Sequence, residues 1–195
     1  SILPESRPVD VYRLPTSLEV PNTLPARSEG IGSVRVLLPA TNNTLASRRI
    51  VVIPDDHLTS NYAGAAWEDS APAMMRERLA DALRADGRFD TVSSDEHSLR
   101  AEFEVDSNLR ALQSEYRNGT PEAVVRLDAH LVHSGSRRVL ASRSFEARRP
   151  ANGTGLPAVV TAMGEASDEV TQALAAWAAE TAETVELPRP RRNRP

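Results

Sequence analysis

The residues of this chain that could do chemistry are its histidines and a pair of adjacent aspartates. His130 and His133 are three positions apart in one alternating segment, so on a strand their side chains point to opposite faces and cannot share a metal. Asp55 and Asp56, with His57 beside them, follow an apolar segment where a strand end could display a catalytic carboxylate. Adjacent carboxylates there are also typical turn residues, and we favour that interpretation. The sequence predicts no metal site.

Motifs for covalent or phosphate chemistry are also missing from the sequence. Cys is absent, which removes thiolate nucleophiles and Cys-based zinc sites. No Gly-x-Ser-x-Gly motif displays a serine, and the segment Gly153-Thr154-Gly155 lacks the lysine of a phosphate-binding loop. We therefore predict a protein that is not an enzyme, with no catalytic residue and no cofactor.

The composition limits the partners that the chain can bind. Of its 195 residues 4% are aromatic and the formal net charge is -4, so it offers few stacking platforms for bases and repels a phosphate backbone. All 23 basic residues are arginines, which the codon usage of a GC-rich genome explains better than a need for bidentate recognition. The length suits one well-formed core, and we expect one domain and no nucleic-acid partner.

Both ends of the sequence lack the periodicity of a folded element. Residues 1–8 contain two prolines and predict an N-terminal tether. Residues 188–195 are rich in Arg and Pro and predict a disordered tail. This tail could contact anionic headgroups or an acidic partner, or it could be only a solvated end. The predicted domain lies between them, over residues 9–187.

Changes of hydrophobic period predict the elements of that domain. Short strands are expected over residues 9–14, 34–38 and 50–53, and a helix is expected from Pro72 to Gly87, capped by Asp69 or Ser70. The outer face of this helix, which we expect to be solvated, carries Arg76, Glu77, Arg78, Asp81 and Arg84.

The second half of the domain alternates with period two and then returns to helical spacing. Strands are expected over Leu99–Val105, Val125–Leu131 and Val139–Phe145, joined by short turns into an antiparallel meander. A long helix follows, with a stripe that Val160, Met163, Val170, Leu174 and Trp177 form and Ser167 interrupts. This order predicts an α+β two-layer sandwich, a mostly antiparallel sheet with two helices packed on it.

Three aromatic side chains are candidates for a partner or lipid interface: Tyr62, Trp67 and Trp177. Tyr62 lies in a polar loop, and an exposed aromatic residue in such a loop is more typical of an interface than of a core. The two tryptophans have an alternative and favoured structural role, in which they anchor the helices against the sheet.

The chain resembles the ABC-type transport auxiliary lipoproteins, the PqiC-like family associated with MCE-type phospholipid transport between the two membranes of Gram-negative bacteria. The resemblance covers roughly residues 9–180. It is carried by Tyr12-Arg13-Leu14-Pro15, the segment 32–39, the segment 49–53, Trp67 before Pro72, Leu79, Leu83, Gly87 and Phe89, the segments 99–105, 124–132 and 139–145, and the Ala-rich helix near Trp177.

The resemblance implies an auxiliary lipoprotein that is periplasmic and tethered to the outer membrane through an acylated Cys, which this chain does not contain. It also implies binding to a periplasmic MCE-type protein of an ABC transport system, and it permits a homo-oligomer. We expect the chain to support phospholipid transport without catalysis, with Ser1 following a removed Cys.

Two other functions remain open at the level of sequence. A periplasmic lipid carrier or ligand-binding domain would need an apolar pocket between helix and sheet, lined by residues such as Met75, Leu79, Met163 and Val170. An enzyme would be built around Asp55, Asp56 and His57.

Overall fold

The computed structural model describes residues 3–4, 8–21 and 30–185. The predicted disordered tail, and most of the predicted tether, lie outside these residues. The described strands are β1 Asp10–Tyr12, β2 Ser33–Val36, β3 Val51–Asp55, β4 Leu58–Asn61, β5 Ala65–Trp67, β6 Thr91–Ser94, β7 Phe103–Arg117, β8 Thr120–His133 and β9 Arg138–Pro150. The described helices are α1 Asn43–Ala46, α2 Ala71–Asp86 and α3 Leu156–Glu183.

The long strand β7 organises a seven-stranded sheet. On one side it pairs with β8, which pairs with β9, and this is the predicted antiparallel meander. On its other side β2 lies beside the first part of β7 and β3 beside the last part, both parallel to it. With β6 parallel to β2 and β4 antiparallel to β3, three of the six strand pairings described within this sheet are parallel and three are antiparallel.

The expected mostly antiparallel sheet is therefore corrected to a mixed sheet with helices packed on it. The parallel pairings arise because β2, β3 and β6 come from the first half of the chain, where longer connections return each strand to the same direction. Hydrophobic alternation does not reveal strand direction. A second difference is the third helix, the single turn α1, which Asn42 caps by accepting a bond from the N–H of Leu45.

Helix α2 forms where its end signals predict it. Ser70 caps α2 by accepting a hydrogen bond from the N–H of Ala73, and Gly87 ends it with a left-handed φ of 77°. Helix α3 runs 28 residues from the Gly155 cap. Its buried stripe includes Ser167, which is fully buried. None of the helices in the described residues is both long and apolar enough to span a membrane.

The core lies between these helices and one face of the sheet. It is filled from α2 and α3 and from alternate residues of the strands, including Val34, Val36, Phe103, Val105, Leu109, Leu127, Leu131, Met75, Leu79 and Leu174. The other sheet face, which we call the open face, carries the intervening polar side chains. Polar residues alternate with core residues because successive strand side chains point to opposite faces.

Two details of the sequence interpretation are wrong. Leu99 does not begin a strand, since β7 starts at Phe103 and the Leu99 side chain is 60% exposed. The arginines Arg76 and Arg78 do not lie on a solvated face: their residues are only 9% and 7% exposed. Acidic side chains distant in sequence accept hydrogen bonds from both, and helical periodicity cannot reveal such partners.

The N-terminal segment explains the burial of Arg78. Residues 14–17, which we call the strap, cross both long helices. The guanidinium of Arg78 donates to the Leu14 carbonyl over 2.6 Å and to the Asp168 carboxylate over 2.8 Å. Asp168 also accepts from the Thr16 hydroxyl and the Ser17 N–H, over 2.8 and 2.7 Å. The strap thereby ties α2 to α3.

Candidate docking surface

The outer edge of β9 is the largest unpaired strand edge in the described part of the chain. β9 extends over 13 residues and pairs only with β8 among the described strands. Most of its side chains are exposed, and Val139 is 52% exposed. An unpaired edge presents a row of backbone donors and acceptors that a strand of another chain can complete. We call this edge, together with Trp177 beside it, the β9 edge.

An aromatic pair lies where α3 meets the β9 edge. The rings of Phe145 and Trp177 contact each other edge to face, with centroids 5.6 Å apart. The guanidinium of Arg143 lies 5.3 Å from the centre of the Phe145 ring, a cation–π contact. Phe145 is buried, whereas Trp177 is only partly buried. Trp177 therefore offers apolar surface beside the unpaired backbone.

Positive charge dominates the side chains along the β9 edge. β9 has four arginines, Arg138, Arg143, Arg148 and Arg149, against one acidic residue, Glu146, and Pro150 ends the strand. Arg149 forms an ion pair with Glu169 of α3 at 3.4 Å. Charged residues and proline on an edge oppose pairing with any available strand. The edge is therefore selective, and a partner strand that carries acidic residues complements it.

The other two predicted interface residues lie at the opposite side of the sheet. Trp67 belongs to β5, is 1% exposed, and accepts a hydrogen bond at its carbonyl from the Arg48 side chain over 2.8 Å. Tyr62 is partly buried and its hydroxyl donates to Ser114 over 2.9 Å. Burial raises the pKa of Tyr62 to about 12, although the bond to Ser114 acts in the opposite direction.

The structure thus does not bring the three aromatic residues into one surface. Tyr62 and Trp67 lie beside β3 and β5, and Trp177 lies beside β9, with β7 and β8 between them. Trp67 has almost no surface to present in this conformation. The interface role of each residue remains a prediction.

The residues considered for catalysis lie on exposed surface. Asp55 accepts a hydrogen bond from the His57 N–H over 3.0 Å, which is the geometry of a turn between β3 and β4. On the open face, register places Asp106, His130 and Ser142 side by side on three strands. His130 contacts the Ser142 hydroxyl, but no Asp106 bond to His130 orients the ring. No group of three potential metal ligands occurs among the described residues.

The residues proposed for an enclosed lipid site are part of the packed core. Met75, Leu79, Met163 and Val170 are at most 1% exposed. The described grooves of about 380, 520 and 490 Å³ are lined by other residues. The apolar pocket expected for a lipid carrier is therefore not formed by these four side chains.

The sequence interpretation missed the edge character of β9 and the contribution of Arg143 and Phe145. Two signals in the sequence indicate that edge. β9 is the last strand of a meander and is followed by a helix, and its arginines and terminal proline are typical of edge strands.

A family model described as the ABC-type transport auxiliary lipoprotein component matches residues 12–175 of the chain. A crystal structure of a Xanthomonas campestris protein is similar at a TM-score of 0.79 and 27% identity, with 90% of this chain and 97% of that chain covered. A hypothetical protein from Chlamydia trachomatis is similar at a TM-score of 0.54 and 11% identity, covering 77% and 97% of the two chains, a likeness of fold alone. No curated protein matches the chain.

Proposed function

This chain belongs to the family of ABC-type transport auxiliary lipoprotein components, and we propose that it is a non-catalytic docking subunit of an MCE-type transport system. In this proposal it supports phospholipid transport between the inner and outer membranes. It works in the periplasm, tethered to the outer membrane by an N-terminal lipid anchor, and binds a periplasmic MCE-type protein. The ATPase and the permease are separate subunits.

The observation that carries the proposal is the β9 edge. An unpaired strand of 13 residues supplies backbone hydrogen bonds to a partner, and the side chains beside it supply selectivity. Val139 and the partly buried Trp177 provide apolar contacts, and aromatic residues are enriched in the centres of protein interfaces. The arginines favour a partner strand with acidic residues.

A packed core supports docking over lipid enclosure. A carrier must bury an acyl chain in a pre-formed apolar cavity, whereas the side chains between helices and sheet here are packed against one another. An auxiliary subunit needs only a stable surface. The same edge can also accept a second copy of the chain, so a homo-oligomer is an alternative occupant that the experiment must separate from the MCE-type protein.

Site-specific photocrosslinking in the periplasm tests the proposal. A photoreactive phenylalanine analogue at Val139 is expected to capture the MCE-type protein, because this side chain is 52% exposed on the β9 edge. The matched control is the same analogue at Leu58, which is 54% exposed on β4, at the other side of the sheet. Mass spectrometry of the crosslinked band identifies the captured protein.

The outcomes separate three cases. Capture of the MCE-type protein at position 139 and not at position 58 supports the proposal, and Trp177→Ala should then reduce that capture. Capture of a second copy alone assigns the edge to self-assembly. Equal capture at both positions, or none at position 139, contradicts docking at the β9 edge.

A further inference from the structure

One of the described grooves, of about 520 Å³, lies beside the start of β7 on the open face. The connection from β6 to β7 forms one wall with Ser98, Leu99 and Arg100, and the turn from β8 to β9 contributes Ser134. Arg35 of β2 forms the floor. None of the residues that line this groove belongs to β9, so it is separate from the β9 edge.

Arg35 is fixed in the groove by the strand that carries it. Its neighbours Val34 and Val36 are fully buried in the core, so the Arg35 side chain must point to the open face. There its Nε is inaccessible to solvent and has no hydrogen-bond partner in the described residues. The hydroxyl of Ser134, also inaccessible, likewise has none. The groove thus contains two donors that no protein acceptor among the described residues uses, and buried polar groups normally have a hydrogen-bond partner.

The arginines of the groove also form no ion pairs with the residues that the structure describes. Arg35 and Arg100 form no ion pair within the described part of the chain, and neither does Arg137 in the adjoining turn. Elsewhere on the open face, by contrast, arginines are paired: Arg110 and Arg126 with Asp128, and Arg148 with Glu115, Glu122 and Glu146. The groove contains one carboxylate, that of Glu104, which lies beside Arg35 in the register. Its lining therefore has one more positive than negative charge.

We propose that this groove binds a phosphate-bearing anion, with Arg35 as the partly buried donor and Arg100 as the exposed one. Guanidinium groups present planar sets of donors that match phosphate oxygens, and the hydroxyls of Ser98 and Ser134 are further donors. Leu99 adds an exposed apolar wall beside these donors. The phosphate could belong to a phospholipid headgroup or to a soluble phosphate ester, and the chemistry of the groove is the same for both.

Nuclear magnetic resonance of the arginine side chains tests this directly. A buried Nε–H exchanges slowly and gives its own signal, so that of Arg35 reports on the groove. Two experiments separate the sources of phosphate. The first follows the Arg35 Nε–H signal while inorganic phosphate or glycerol 3-phosphate is added. The second measures flotation of the protein with phosphatidylglycerol vesicles, compared with vesicles of phosphatidylcholine alone. A shift with soluble phosphate alone assigns a soluble ligand, and binding to anionic vesicles alone assigns a lipid headgroup.

Variants distinguish the groove from general attraction to positive charge. Arg35→Lys and Arg100→Gln should each weaken binding about tenfold, the effect of losing roughly one charge-assisted contact. Glu104→Gln should tighten it, because it removes the only carboxylate in the lining. Arg126→Gln, which removes an equal charge elsewhere on the open face, is the control and should change little. Arg100 is exposed, so Arg100→Gln preserves the test if Arg35→Lys fails to fold.

Two results would overturn the proposal. One is an Arg35 Nε–H signal that no phosphate compound or vesicle moves, together with the absence of flotation. The other is equal weakening by Arg126→Gln and Arg100→Gln. Neither result bears on docking at the β9 edge, since photocrosslinking at Val139 reports on a different surface.

Discussion

Both the helix-covered side and the open face of the sheet contain ion pairs between arginine and carboxylate side chains, but the pairs differ in their exposure to solvent. Beneath the strap, the side chains of Arg78 and Asp168 are 7% and 9% exposed and 2.8 Å apart. On the open face, Arg148 is 37% exposed and pairs with Glu115, Glu122 and Glu146. A buried pair is costly to break, whereas exposed pairs contribute little because water and salt screen them.

The difference shows which charges specify the fold. Under the strap, four donors hydrogen-bond to the Asp168 carboxylate: Arg78, the Thr16 hydroxyl, and the N–H and hydroxyl of Ser17. Burial lowers the pKa of Arg78, and Asp168 counteracts that effect. The pair, together with the strap, fixes how α2 and α3 meet.

Removing the buried carboxylate should have the largest effect. Asp168→Ala leaves the Arg78 charge buried and is expected to lower the free energy of unfolding by about 3–5 kcal/mol. Asp128→Ala on the open face, the matched control, should cost about 1 kcal/mol or less. Urea denaturation measures both. The double variant Arg78→Met with Asp168→Leu should be more stable than Asp168→Ala, and equal losses at positions 168 and 128 would contradict the comparison.

A single methyl group tests the contact between the strap and α3. A Cβ at position 164 would lie 2.5 Å from the Pro15 carbonyl oxygen, so only glycine allows this approach. Gly164→Ala should therefore destabilise by about 1–3 kcal/mol despite the higher helix propensity of alanine. Thermal unfolding gives the magnitude, and faster proteolysis near Pro15 would locate the change. A more stable Gly164→Ala variant would show that the strap is not held as described.

The smallest predicted effect concerns pH dependence on the open face. Hydrogen bonds from the Ser144 hydroxyl and Arg110 lower the pKa of Asp128. Because this pKa is lower in the folded than in the unfolded protein, ionised Asp128 stabilises the folded state at pH values above the unfolded-state pKa of about 3.9. The contribution is lost as the pH falls through the folded-state pKa. Asp128→Asn should therefore be less stable than the parent by at most about 1 kcal/mol at pH 7. In urea titrations the difference in free energy of unfolding between the parent and the variant should disappear in strongly acidic buffer. A difference that does not change with pH would show that ionisation of Asp128 is not its cause.

Elements with local signals could be predicted from the sequence. Helix α2 has its cap at Ser70 and its stop at Gly87, and each signal acts within one turn of the helix. The meander was predictable because alternating strands are joined by short turns. The same reasoning missed β4, β5 and β6, which have only three or four residues and little burial to create a period.

Features that depend on distant residues could not be predicted. The partner of Arg78 is 90 positions away, so the helical pattern assigned this arginine to solvent. The parallel pairing of β2 and β3 with β7 leaves no trace in alternation. At the candidate docking surface, the sequence identified Trp177 but could not show that it contacts Phe145. That Trp177 lies at one side of the sheet, and Tyr62 and Trp67 at the other, is visible only in the folded structure.

The strap also determines how the molecule carries mechanical load. A pull on the backbone ahead of Asp10 first meets β1, which bonds to Gly64 and Glu68 through its backbone, and then Leu14. Beyond Leu14, the strap is bonded to α2 through Arg78 and to α3 through Asp168. A load on this end that passes β1 is therefore shared between the two long helices rather than borne by one of them.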